Sequence, residues 1–167
     1  MKKKIMNSIS DKCKKIKIVL TDVDGVLTDG GMYYTKDGDI MKKFHARDGM
    51  GVTLLRKKSI PTIIITKEKT SMVKKWSSKM KVAKLYDGII EKESMIKIIS
   101  EKFQVNTSEM AYIGDDINDL NLLEKVGFSV SPKDGMEFIR KKCDYISKTK
   151  GGEGVFREVA ELILKNQ

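Results

Sequence analysis

Ile18-Val19-Leu20-Thr21 runs without a break into Asp22-Val23-Asp24-Gly25. A short, mostly apolar run of this kind, read from Ile16 to Thr21, predicts a strand buried on both faces, in a sheet that helices cover on each side. Asp and Gly are poor strand residues, so the strand stops there and leaves two carboxylates, one residue apart, at its carboxyl end. In an open α/β sheet that is where ligands bind. Met110–Gly114 repeats the arrangement and leads into Asp115-Asp116-Ile117-Asn118-Asp119. Two acid-tipped strands that converge make a site for a hard cation, and with it phosphate chemistry.

The rest of the chain alternates strand and helix patterns. Pro61–Thr66, Val82–Tyr86, Phe128–Val130 and Asp144–Ile146 read as further strands. Helical patterns cover Lys69–Met80, Glu91–Phe103, Ile117–Val126 and Gly135–Lys141, and an amphipathic helix follows Gly151-Gly152-Glu153-Gly154. Asp48 is a candidate N-cap for a helix reaching Lys58. This alternation predicts an α/β, Rossmann-like, three-layer parallel sheet. Gly30–Thr35 and Asp39–His45 flank Lys36-Asp37-Gly38, a signal for a β-hairpin inserted after the first strand. Residues 1–15 read as a frayed, basic lead and residues 16–167 as one domain.

A net charge of +10 raises the possibility of nucleic-acid binding, but its distribution argues against it. Residues 1–17 hold seven Lys and one Asp, while the later residues mix both signs without interleaved aromatics. No apolar stretch reaches the ~18–20 residues of a membrane span, and the basic start lacks a signal-peptide core. Nucleic-acid and membrane partners are therefore not expected. Cys13 and Cys143 have no C-x-x-C spacing and read as free thiols of a cytoplasmic protein.

The residue types at the strand ends support defined chemistry. One carboxylate of the Asp22/Asp24 pair can attack phosphorus while the other protonates the leaving oxygen and then activates water. The same pair can instead cap the amides of a turn. Asp115 is placed to bind a cation; Asp116 and Asp119 can orient ligands or cap the next helix. Thr66 can offer a hydroxyl and an amide to phosphate, and Lys92 a point charge. His45 reads as structural.

In this order, Asp22-x-Asp24, Thr66, Lys92 and Gly114-Asp115-Asp116-x-x-Asp119 resemble the motifs of the haloacid dehalogenase-like phosphatase superfamily, from Ile16 onward. The resemblance implies Asp22 as nucleophile, Asp24 as general acid/base, and Thr66 and Lys92 as phosphate binders. It implies a Mg2+ cofactor held by Asp22, Asp115 and the backbone carbonyl of Asp24. Thr28–His45 leaves room only for a hairpin, so no cap domain is expected. The segments 29–34, 43–49 and 151–158 are similar to those of the capless sugar-acid phosphatases. That group implies a homotetramer assembled through its hairpins, a neighbouring subunit closing each site, and a small sugar phosphate as substrate.

Within the group, the octulosonate 8-phosphate enzymes usually carry Thr-Gly-Arg where this chain has Thr66-Lys67-Glu68. Glu68, with Lys79 further along, resembles the nonulosonate (sialic-acid-type) 9-phosphate enzymes, and this favours a nonulosonate substrate with 3-deoxy-D-manno-octulosonate 8-phosphate as the alternative. Arg47 and Arg157 are further substrate-binding candidates from the family motifs. Lys67 replaces the usual glycine beside the motif threonine, a change that can either distort the phosphate loop or add a cation near the substrate. A reading of another class is a weakly active oligomerisation domain beside a cytidylyltransferase; the intact Asp22, Asp24, Asp115 and Lys92 argue against it.

Overall fold

Strand β1 (Ile18–Thr21) lies at the centre of a six-stranded parallel sheet. The computed structural model describes the backbone of residues 2–167 and the side chains of residues 9–167. In chain order the elements are helix α1 (Lys2–Lys15), β1, β2 (Tyr33–Thr35), β3 (Gly38–Met41), α2 (Ala46–Lys57), β4 (Thr62–Thr66), α3 (Ser71–Met80) and β5 (Lys84–Asp87). Helix α4 (Met95–Phe103), β6 (Met110–Ile113), α5 (Leu120–Leu123), β7 (Phe128–Ser131), α6 (Glu137–Arg140), β8 (Tyr145–Ile146) and α7 (Val155–Lys165) follow. The strand order is β5-β4-β1-β6-β7-β8, so the chain leaves β1 toward β4 on one side and β6 on the other. The crevice at this switch point opens at the carboxyl ends of β1, β4 and β6.

Side-chain alternation along each strand divides the core into two layers. Val19, Ile64, Ala111 and Ile113 face one way and pack with Val52, Leu55, Val73, Phe156, Val159 and Ile163 from α2, α3 and α7. Ile18, Leu20, Ile63, Ile65, Met110 and Tyr112 face the other way, toward Met95, Ile99, Leu122 and Ile139 from α4, α5 and α6. The three-layer architecture read from the sequence is therefore present. Strands β2 and β3 form a separate antiparallel hairpin whose two-residue turn is Lys36-Asp37, and an isolated Thr28–Phe44 bridge ties its base.

Three local readings change. Residues 2–15 form helix α1 rather than a frayed lead. Cys13 is buried in the core, Ile9 packs against it, and Lys12 pairs with Asp144. Tertiary contacts of this kind supply the stability that a short Lys-rich helix lacks alone. Beyond the acidic loop, a 3-10 turn precedes a single helical turn, α5, in place of a continuous helix.

The third change concerns Asp48. His45 is the N-cap of α2, its Nδ1 accepting from the Arg47 N–H at 3.2 Å. Asp48 is buried one turn in, where its Oδ1 accepts from the Arg157 N–H at 2.9 Å. It thus caps α7, whose own N-cap residue, Gly154, has no side chain to do so. Burial pushes the Asp48 carboxyl up from 3.8 to about 7, against the pull of the Arg157 and Phe156 amides. Between those values the folded protein holds a proton that the unfolded chain has lost. Stability from this group is therefore greatest below about pH 4 and falls as pH rises toward 7. Asp48→Asn cannot ionise, so its melting temperature relative to wild type should climb across this window and level off above it. The expected rise is about 9–17 °C; a flat difference would show that the carboxyl is not shifted.

Candidate active site

The carboxyl ends of β1, β4 and β6 bring most of the sequence-predicted residues to one cavity of about 300 Å³. Asp22, Asp24, Gly25, Thr66, Lys67, Glu68, Asp115, Asp116 and Asn118 line it, and Gly30, Met32, Tyr34, Asp39 and Lys42 wall it from the hairpin side. A larger groove of about 810 Å³ lies at the amino ends of the strands, among Lys14, Lys15, Lys17 and Lys58. Size does not choose between them: the carboxylates implied by the motifs are in the smaller.

Asp22 and Asp115 follow strands paired in register, with Thr21 opposite Ile113. The loop after β1 turns at Gly25, whose φ is +84°; a Cβ there would lie 2.1 Å from Asp115 Oδ2. Glycine is needed both for the backbone angle and for the approach of Asp115. Under the same loop lies the Gly151-Gly152 segment: a Cβ on Gly151 would meet the Gly25 carbonyl oxygen at 2.1 Å, and Gly152 N–H donates to Val26 C=O at 3.0 Å.

Beneath the cavity, Lys92 is fully buried, its Nζ 2.8 Å from Asp22 Oδ1 and 2.6 Å from Asp119 Oδ1. Burial opposes its charge, but Asp22 and Asp119 outweigh that and hold it above the ordinary lysine range. Asp119 also accepts from the Tyr112 hydroxyl, and its Oδ2 accepts from the Asp115 and Asp116 amides. Burial keeps the Tyr112 phenol protonated as a donor. Asp22, Asp115 and Asp119 can each place an oxygen within 4.8 Å of the others. Both Asp119 oxygens are already engaged, so Asp22 and Asp115 are the carboxylates with oxygens to offer a cation. Burial first, then neighbouring carboxylates, push Asp22 up to about 7 and Asp115 to about 8. A cluster of hard oxygen donors short of positive charge fits a divalent ion such as magnesium.

The sequence-predicted residues separate into two groups. Thr66 is buried at the cavity edge and Glu68 lines the opening. Lys67 stands at the rim of the cavity, with a backbone outside the left-handed region. Asp116 is an N-cap, accepting from the Ile117 N–H at 2.7 Å. Lys92 sits behind Asp22 rather than lining the cavity. Lys79 is exposed on the last turn of α3, Arg47 is exposed on the first turn of α2, and Arg157 pairs with Glu161 on α7; none of the three lines the cavity. The sequence reading missed Tyr112 and Lys42. Lys42 Nζ lies 2.7 Å from Asp24 Oδ1, and nothing in the sequence distinguishes it from the other lysines.

The sequence pattern of the haloacid dehalogenase-like hydrolases matches residues 1–159. The chain belongs to this family. The hydrolase is 33% identical over 159 residues to the 3-deoxy-D-manno-octulosonate 8-phosphate phosphatase of Haemophilus influenzae, covering 95% of this chain and 88% of that protein. It is 35% identical over 156 residues to the enzyme of that name from Escherichia coli K12, covering 93% and 83%. The crystal structure of a 3-deoxy-D-manno-octulosonate 8-phosphate phosphatase from Moraxella catarrhalis, in complex with magnesium, phosphate and KDO, superposes with a TM-score of 0.93 at 38% identity. That alignment covers 97% of the hydrolase and 93% of the Moraxella chain.

Proposed function

We propose that this hydrolase is a magnesium-dependent phosphatase of a sugar-acid phosphate, 3-deoxy-D-manno-octulosonate 8-phosphate. The observation that carries the reading is the Asp22–Lys92–Asp119 cluster beside Asp115, in a chain that matches phosphatases of this name along nearly its whole length. The nonulosonate substrate favoured by Glu68 and Lys79 becomes the second reading, since the relatives named above act on the octulosonate ester. Glu68 lining the cavity supports that second reading; the exposed Lys79 does not.

In this scheme a carboxylate oxygen of Asp22 attacks phosphorus, giving an aspartyl-phosphate that water hydrolyses. Asp24 protonates the departing sugar oxygen and then takes a proton from the water. Lys92 offsets the charge of Asp22 and fixes its orientation, and Thr66 offers its hydroxyl to the phosphate. Magnesium, held by Asp22, Asp115 and the Asp24 carbonyl, supplies positive charge that lets two anions approach.

A capless cavity needs another means of excluding water. The hairpin exposes Met32, Tyr34, Ile40 and Met41, with relative accessibilities of 50–73%. Apolar side chains so placed support hairpin-mediated assembly into a homotetramer, in which a neighbouring copy covers the site. Cys13 and Cys143 are free, which fits a reducing cytoplasm.

Steady-state phosphate release with magnesium tests the substrate. The octulosonate 8-phosphate is expected to exceed nonulosonate 9-phosphates in kcat/KM by about tenfold, about 1.4 kcal/mol in the transition state. The reverse preference would restore the nonulosonate reading. Absence of turnover on both, with magnesium bound, would remove the phosphatase assignment.

A further inference from the structure

Lys42 has no part in the scheme above, yet it is the best-buried charge on the hairpin side. Its side chain is 5% exposed, although Met41 and Lys43 beside it are exposed. The ammonium bridges two carboxylates, 2.7 Å from Asp24 Oδ1 and 3.4 Å from Asp39 Oδ2. Asp24 Oδ1 also accepts from Thr28 Oγ1 at 3.1 Å. Asp24 Oδ2 takes no hydrogen bond among the described residues, and Asp24 lines the cavity. Two donors on one oxygen remove the carboxyl group's freedom to rotate and leave the other oxygen available. A proton-transferring carboxyl needs that arrangement, because the transfer demands hydrogen-bond reach and fixed direction.

We propose that Lys42 is a positioning residue for the reaction: with Thr28 it clamps Oδ1 of Asp24 and so presents Oδ2 to the leaving-group oxygen. The inference rests on Asp24 being the acid/base. In the first step an Asp22 oxygen bonds to phosphorus as the ester P–O bond breaks. The electron pair stays on the sugar oxygen, which takes the proton from Asp24 Oδ2. In the second step Oδ2 recovers a proton from water as the water oxygen bonds to phosphorus. The bond between phosphorus and the Asp22 oxygen breaks, releasing inorganic phosphate and restoring the Asp22 carboxylate. Asp39, on hairpin strand β3, also holds Lys42, so the placement of the hairpin sets the direction of the acid.

The test compares kcat/KM for two esters, the sugar-acid phosphate turned over best and p-nitrophenyl phosphate, in wild type, Lys42→Met, Lys42→Gln and Asp24→Ala. Nitrophenolate departs without a proton, and kcat/KM reports only the steps up to phosphoryl transfer. Lys42→Met and Lys42→Gln are expected to lose roughly 10–100-fold on the sugar-acid ester and under about threefold on p-nitrophenyl phosphate. Asp24→Ala should show the same asymmetry, larger. Because both esters are measured on one preparation, a misfolded fraction cancels in their ratio. An unchanged ratio in both Lys42 variants, with a changed ratio in Asp24→Ala, overturns the role of Lys42 and leaves Asp24 standing. An unchanged ratio in Asp24→Ala overturns both, and no hydrolysis of either ester by wild type sinks the phosphatase reading as well.

Discussion

Asp22→Asn is expected to lose turnover by roughly 10⁴–10⁶-fold while keeping its fold, since an amide cannot form the bond to phosphorus that the carboxylate forms. The substitution is nearly isosteric. It also removes one of the acids that crowd the floor of the cavity, where burial and Asp119 already push Asp22 up to about 7. The variant should therefore melt within a few degrees of wild type without magnesium. Phosphate release measured beside thermal unfolding separates the two effects. Activity retained within tenfold would remove Asp22 as the nucleophile, and a collapse in melting temperature would assign it to structure.

Asp119→Ala should instead damage the molecule itself. Its two oxygens receive the Lys92 ammonium, the Tyr112 hydroxyl and the amides of Asp115 and Asp116. Removing them leaves a buried ammonium facing Asp22 alone and a buried hydroxyl without its acceptor. Loss of one partner from a buried charged network costs about 3–5 kcal/mol, or roughly 6–20 °C in melting temperature for a chain of this size. Magnesium affinity should fall with it, because the Asp115 loop loses two of its anchors. Calorimetric titration with magnesium and a thermal melt read both; a variant that melts and binds like wild type would show that the network is dispensable.

Much of this site could be read from short segments. Ile18–Thr21 and Met110–Ile113 are apolar runs cut off by acids, so their sequence states both the strand and where its ligand end lies. The helix at residues 2–15 was hidden because its stability comes from Cys13 and Ile9 meeting a distant part of the chain, which no local pattern records. Asp48 looked like a cap and is one, but for a helix more than a hundred residues away. Lys42 and Tyr112 were hidden for a related reason: each is defined by a partner, Asp24 or Asp119, that only the fold supplies. Lys79 shows the converse, a residue singled out by pattern that the fold leaves at its surface.

The contact between Gly151-Gly152 and the loop at Gly25 bears on how the protein is made. During synthesis the two loop aspartates emerge more than a hundred residues ahead of the glycines beneath them. Through most of translation the central strand can gather neighbours, yet its acidic loop has no floor. A nascent chain stalled before residue 151 should therefore hold a partly built sheet and no competent centre. Activity would then appear on the ribosome only once Gly151-Gly152 has emerged and packed under the loop.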